Sequence, residues 1–263
     1  MDLKLRGKNV LISGASKGIG FACAAGFAAE GCSLHINARN AAALEEARAK
    51  LVKQYGVEVT CHPGDLSVTA NAVALGRACG DIDVLVNNAG AIPGGRIDQI
   101  DDEKWRRAWD LKVFGYINLT REVYARMSAR GTGVIVNVIG MAGERNRPEY
   151  IAGSSANAGL MAFSRALGAE SVDHGVRVVG VNPGRIETER QIEIVMAAAE
   201  KKLGDRARWK EMMAQMALTA PFKRFGRPDE VADLVVYLAS ARASYISATV
   251  VNIDAGQSLR PQS

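Results

Sequence analysis

The sequence predicts an α/β fold: a doubly wound parallel sheet of about seven strands, with helices on both faces, in a single domain. Three observations predict it. Short apolar runs alternate with longer helical stretches from one end of the chain to the other. The runs are nearly continuous Val, Ile and Leu, as strands buried on both faces must be. A glycine-rich turn joins the first run directly to the first helical stretch, and right-handed crossovers then wind the sheet both ways.

The first strand is Val10-Leu11-Ile12, and the helix after it carries Phe21 to Ala28. Ser33 to Asn37 forms the second strand, followed by a helix over 41–55. Val57 to Cys61 reads as a third strand and Asp83 to Asn87 as a fourth. A long helix starts at Asp101-Asp102, where carboxylates suit both the N-cap and the helix dipole. Gly133 to Val138 is a fifth strand; a helix over 149–174 leads to a sixth, Val176 to Val181. Pro228 opens a last helix at a first-turn position, and Thr249 to Ile253 closes the series. Residues 1–263 therefore read as one domain without linker or repeat, and 187–220 as a helical insertion placed to cover a site.

The turn between first strand and helix is Ser13-Gly14-Ala15-Ser16-Lys17-Gly18-Ile19-Gly20. Glycines there permit positive φ, bring backbone N–H groups close to a ligand and leave a helix N-terminus open to a phosphate. The reading is a dinucleotide cradle made by Gly14, Ser16, Lys17, Gly18, Ile19 and Gly20. About twenty residues after such glycines an acidic side chain would bind the ribose of NAD and repel a 2′-phosphate. That position is Ala38, followed by Arg39. With Lys17 in the turn and no carboxylate, the charge favours NADP(H) over NAD(H). The bland alternative leaves Arg39 in solvent at the start of the next helix.

Composition bounds the rest. The 33 Lys and Arg against 28 Asp and Glu give a net charge of +5, with no basic run of five or six, so no nucleic-acid partner is expected. Cys23, Cys32, Cys61 and Cys79 form no Cys-x-x-Cys pair and read as reduced thiols of a cytoplasmic protein. His35, His62 and His174 lie far apart without ligand spacing, so no metal site is expected. The N-terminal segment has no signal-peptide core, and no apolar run is long enough to cross a bilayer.

Several segments in this order resemble the short-chain dehydrogenase/reductase family. The glycine turn has that family's Gly-x-x-x-Gly-x-Gly spacing, and Asn87-Asn88-Ala89-Gly90 resembles its Asn-Asn-Ala-Gly motif under the adenosine side of the cofactor. Gly64-Asp65-Leu66 is similar to the segment whose Asp contacts adenine. Asn182-Pro183-Gly184-Arg185-Ile186-Glu187-Thr188 is similar to the segment cradling the nicotinamide. Arg227 to Ala232 and Asp254-Ala255-Gly256 resemble its C-terminal signatures. The resemblance implies a Rossmann-type fold and a homotetramer built partly on the long helices. It also implies a small-molecule carbonyl or alcohol substrate, and cofactor contacts from Asp65, Leu66, Asn87, Ala89, Gly90, Pro183, Gly184, Ile186 and Thr188.

The catalytic positions depart from the pattern. The family uses a Tyr as acid/base, a Lys one helical turn later that lowers its pKa, a Ser in the preceding loop and an Asn on the long helix. Registered on Ala158-Gly159-Leu160-Met161-Ala162-Phe163-Ser164, the Tyr position is Gly153, the Lys position Asn157 and the Ser position Gly140, while Lys112 stands at the Asn. Three readings are open. An oxidoreductase could work from a rearranged site in which Lys112 and Asn157 have exchanged places, Tyr150 supplies a phenol and Ser154 or Ser155 donates hydrogen bonds. A catalytically silent dinucleotide binder could act as sensor or scaffold. A lyase or isomerase could need no tyrosine acid. Against the first stand a solvated Lys112 and a surface Tyr150. Trp105 and Trp109 read as helix packing. Met212, Met213 and Met216 fit either a substrate mouth or a core.

Overall fold

The apolar runs pair side by side because each is too hydrophobic to face water on either surface. A computed structural model describes residues 2–260. Its strands are β1 (Asn9–Ser13), β2 (Ser33–Ala38), β3 (Val59–Pro63), β4 (Val84–Asn87), β5 (Gly133–Val138), β6 (Val176–Pro183) and β7 (Thr249–Ile253). They form one parallel sheet in the order β3-β2-β1-β4-β5-β6-β7. The helices are α1 (Gly18–Ala29), α2 (Ala41–Tyr55), α3 (Thr69–Ala78), α4 (Asp102–Trp109), α5 (Gly115–Arg130), α6 (Ile151–Ser171), α7 (Glu189–Leu203), α8 (Trp209–Leu218) and α9 (Pro228–Ala239).

Alternation along each strand distributes side chains to two cores. Val10 and Ile12 pack with Phe27 of α1, Leu44 of α2 and Val235 of α9; Leu11 between them packs with Leu75 of α3 and Leu119 of α5. Among the described residues no helix is long and apolar enough to cross a membrane. The chain order reverses between β1 and β4, so the crevice at their C-terminal ends is where this topology admits a ligand.

The long helix starts where the acidic pair places it. The Asp101 side chain accepts from the Lys104 N–H (2.8 Å), and α4 begins at Asp102. It does not run on uninterrupted. Asp110–Phe114 forms a π turn between α4 and α5, a wider coil that carries Lys112. Two contacts frame this turn: Trp109 Nε1 donates to the Ala152 carbonyl (3.1 Å), and Gly115 is pressed against the Leu66 carbonyl. Trp105 and Trp109 pack beside Ile92, Ala108 and Ala152, so their side chains belong to a core.

Two sequence expectations shift near the sheet edge. α3 was not signalled: its N-cap, Val68, offers no capping side chain, and its Ala-rich sequence has no broad apolar stripe. β3 begins at Val59 and ends at Pro63, two residues later than expected; Pro is tolerated because an edge strand pairs on one side only. The consequence corrects the expectation that the histidines lie apart. His35 pairs with Thr60, so His62 stands diagonally on the same face, and its ring stacks on that of His35 with centroids 5.2 Å apart. His174 lies elsewhere, edge-on to Tyr124.

Candidate functional site

At the crevice, Ser13 Oγ accepts from the N–H groups of Asn88 (2.9 Å) and Ala89 (3.1 Å), clamping the end of β4 to the end of β1. Asn88 Nδ2 reaches back to the carbonyls of Ser13 (3.2 Å) and Gly14 (3.1 Å). Gly14 has φ +67°, and a Cβ there would lie 2.9 Å from Ala89 Cα. At Gly20 a Cβ would collide with the Gly14 carbonyl, so α1 can start this close only on glycine. Lys17, the N-cap of α1, contributes no side-chain cap. The first turn of α1 therefore keeps its N–H groups for an incoming anion. Thr188 forms the facing wall, its Cγ2 3.4 Å from where a Gly18 Cβ would stand, while its hydroxyl caps α7 through Gln191 N (3.2 Å).

The other expected cofactor residues surround this turn. Asn87 Nδ2 donates to Thr120 Oγ1 and Asn137 Oδ1, both at 2.9 Å, which ties β4 to α5 and β5. Pro183 ends β6 beside Ile253, Gly184 N donates to the Ile253 carbonyl (3.0 Å), and Ile186 is buried. Leu66 is buried below the loop after β3. Arg39 and Asp65 line a cavity of about 250 Å³ together with Ala91, Lys104, Arg107 and Leu111. Burial pushes the Asp65 carboxyl up, but the hydrogen bonds from Ser67 and the charges of Arg39 and Arg107 outweigh it and hold the carboxyl below its usual range. A larger concavity of about 430 Å³ opens at the opposite ends of the strands, around Lys8, Asp83 and Gly175, away from the crevice.

Lys112 and Asn157 do converge. Lys112 Nζ donates to the Ile139 carbonyl (2.7 Å), and Asn157 Nδ2 donates to the Gly140 carbonyl (3.1 Å). Two helices thus grip consecutive carbonyls at the end of β5. Lys112 is partly buried with its amine turned inward to a carbonyl, and burial, aided by the nearby Arg190 charge, lowers its pKa from 10.5 to about 7. Gly90 leaves room for its stem, since a Cβ there would lie 2.9 Å from Lys112 Cδ. Asn157 Oδ1 is buried without a partner.

Tyr150 fills the space that residue 153 leaves empty: a Cβ on Gly153 would collide with the edge of its ring. Burial raises the Tyr150 phenol pKa, opposed by Arg190 and Arg147. Ser154 Oγ accepts from Arg147 N (3.1 Å), and Ser155, exposed, donates to the Ile151 carbonyl (3.0 Å), so both hydroxyls serve local structure. Gly140 has φ +121°, a conformation a serine would adopt only under strain.

Sequence reasoning missed Arg190. From the first turn of α7 it donates to the carbonyls of Gly90 (3.0 Å) and Ile92, tying α7 to the loop after β4. A cation in a helix first turn opposes the dipole, which was the available signal that it has a partner elsewhere.

A glycine turn at the switch point with free helix N–H groups, an unpartnered amide oxygen on Asn157 near the end of β5 and this strand order define a dinucleotide-binding oxidoreductase fold, and the residues present fit a nicotinamide nucleotide. The chain belongs to the short-chain dehydrogenase/reductase family, whose members bind NAD(P): the model described as short chain dehydrogenase matches residues 8–199. Galactitol 2-dehydrogenase (L-tagatose-forming) of Cereibacter sphaeroides is 32% identical over 255 residues, which is 96% of either chain. L-sorbose reductase of Gluconobacter frateurii, solved with NADPH and L-sorbose, is 33% identical with a TM-score of 0.93, over 99% of this chain and 100% of that one. A xylitol dehydrogenase solved with NAD+ is 25% identical with a TM-score of 0.87, over 96% of this chain and 100% of that one.

Proposed function

We propose that this chain is an NADP(H)-dependent oxidoreductase that interconverts a small-molecule carbonyl and its alcohol, with proton transfer rearranged onto Lys112. The observation that carries the reading is the grip of Lys112 and Asn157 on the successive carbonyls of Ile139 and Gly140. The two residue types have exchanged helices and still meet at one place. Bound NADPH supplies the hydride. Lys112 Nζ holds the proton that completes the alcohol. A lysine of pKa about 7 populates both protonation states near neutrality, which suits an acid/base. One of its three N–H donors is committed to Ile139, leaving others for a substrate oxygen. Asn157 Oδ1 is the acceptor left for a hydroxyl of the bound nucleotide. Arg39 and Lys17 carry the preference for the phosphorylated ribose.

The substrate reading follows the cations. Burial, then the charges of Arg147 and Arg145, lower the Arg185 pKa, and among the described residues none of Arg145, Arg147, Arg185 and Arg190 enters an ion pair. A hydroxylated substrate carrying a carboxylate or phosphate would supply the missing counter-charge. The insertion 187–220 is read as its lid. It has its own apolar cluster around Val195, Met212 and Phe225, so Met212 faces that core, while Thr188 and Arg190 root it at the crevice. A homotetramer through the long helix is in keeping with Phe114, which is 49% exposed there.

The test is NADPH oxidation with ketoses, polyol-derived aldehydes and their acidic or phosphorylated forms. Saturable turnover is expected, and Lys112→Ala should lower kcat by at least about 100-fold while leaving NADPH binding intact. A binding-only protein is the reading that the missing hydroxyls at Gly140 and Gly153 favour. It would bind NADPH and turn over none of these compounds.

A further inference from the structure

His35, His62 and Cys79 form a cluster that nothing in the dinucleotide reading uses. We propose that these three side chains are a binding site for a soft divalent cation of the zinc type, clamping the edge strand β3 and the end of α3 to β2. Their ligand atoms all lie within 4.8 Å of one another. His35 Nδ1 and His62 Nε2 are 2.9 Å apart, and His62 Nε2 and Cys79 Sγ are 3.6 Å apart. Tetrahedral zinc, with bonds of about 2.0–2.1 Å to nitrogen and 2.3 Å to sulfur, sets edges of roughly 3.3 Å between two nitrogens and 3.6 Å between nitrogen and sulfur. The His62–Cys79 edge is already met, the His35–His62 edge needs a few tenths of an ångström of ring movement, and His35 and Cys79, within 4.8 Å of each other, close by up to about 1.2 Å on binding.

Hydrogen bonding alone serves this cluster poorly. Both neighbours aim at one atom, His62 Nε2, which has a single in-plane lone pair or a single proton. One of the two contacts is therefore always left without its hydrogen bond. A cation replaces the contested protons and satisfies all three groups. Binding releases the Cys79 thiol proton to solvent, while the proton between the rings passes to the other nitrogen of its own ring, so both imidazoles ligate as neutral groups. Burial holds both imidazoles below their usual pKa, so each presents a neutral ring. The same cause pushes the Cys79 thiol up to about 12, which selects for a cation able to stabilise thiolate. Both histidines are half-buried, which leaves water access for a fourth ligand. The scaffold is held independently of a metal, since Asn37 Nδ2 donates to the His62 carbonyl (2.8 Å).

The experiment is a Co2+ titration of the chelator-treated full chain, followed by absorbance. The expected result is one equivalent bound, with a thiolate charge-transfer band in the near ultraviolet and tetrahedral visible bands, both bleached by Zn2+. Cys79→Ser should remove the thiolate band and weaken affinity by at least about tenfold. Cys61→Ser should change neither, because that thiol contacts Leu44 and Glu45 instead. A readout without variants is alkylation of the parent protein resolved by mass spectrometry, in which Zn2+ should slow modification of Cys79 and not of Cys61. No saturable one-to-one binding, or a thiolate band that persists in Cys79→Ser, would overturn the proposal, as would Zn2+ leaving Cys79 alkylation unchanged.

Discussion

An amine turned inward to a backbone carbonyl loses part of the hydration that keeps it charged, and Lys112 shows the result. Its pKa falls from 10.5 to about 7. The unfolded chain keeps this proton up to about pH 10.5, whereas the folded one releases it near 7. Unfolding therefore takes up a proton between those values, and this residue makes stability rise with pH across that window. Below about pH 7 both states are protonated and the full cost, roughly 5 kcal/mol from the shift, is present. Lys112→Met should accordingly raise Tm at pH 6 to 7 by several degrees, a gain that shrinks towards pH 10 in scanning calorimetry. A lysine serving stability alone would make that variant less stable at every pH. Tyr150 supplies the complementary residue-scale case. Gly153→Ala should cost about 1–3 kcal/mol because its methyl overlaps the Tyr150 ring. Adding Tyr150→Ala should relieve that overlap, so the two changes are non-additive in denaturant melts.

At the scale of elements, the π turn at Asp110–Phe114 places Lys112 beside Gly90, and α7 is tied by Arg190 to the loop after β4. Arg190→Met should loosen that anchor and speed hydrogen exchange in α7 while leaving the sheet protected. Much of this scale was legible in the sequence. β5, β7 and α2 fall on their expected residues because apolar period and caps are local signals, and Asn40 caps α2 through Ala43 N. The glycine turn between β1 and α1 was legible for the same reason. The π turn was not, because nothing in Asp110 to Phe114 distinguishes it from ordinary helix; packing at Trp109 and Gly115 frames it. Arg190 and its partner Gly90 are 100 residues apart, beyond any local pattern. The histidine cluster was hidden twice, by an edge strand shifted two residues and by a helix without a capping side chain.

For the whole molecule, the reversal of strand order between β1 and β4 gathers the ends of β1, β2, β4, β5 and β6 into one crevice. At its β2 side Arg39 follows Ala38, with no carboxylate at that position, and the proposed preference for the phosphorylated ribose rests there. NADPH should bind at least tenfold more tightly than NADH, and Arg39→Asp should reverse the order in fluorescence titrations. Equal affinities in the parent would remove the charge argument. In the proposed reaction this crevice moves its proton through Lys112 in place of the usual phenol and ammonium. The most direct measurement is the pH dependence of kcat for NADPH-driven carbonyl reduction in the parent, Lys112→Ala and Tyr150→Phe chains. Reduction should decline above about pH 7 in the parent and in Tyr150→Phe, whereas Lys112→Ala should be slow and lack this transition. An inactive Tyr150→Phe beside a Lys112→Ala chain with the parent's profile would contradict it.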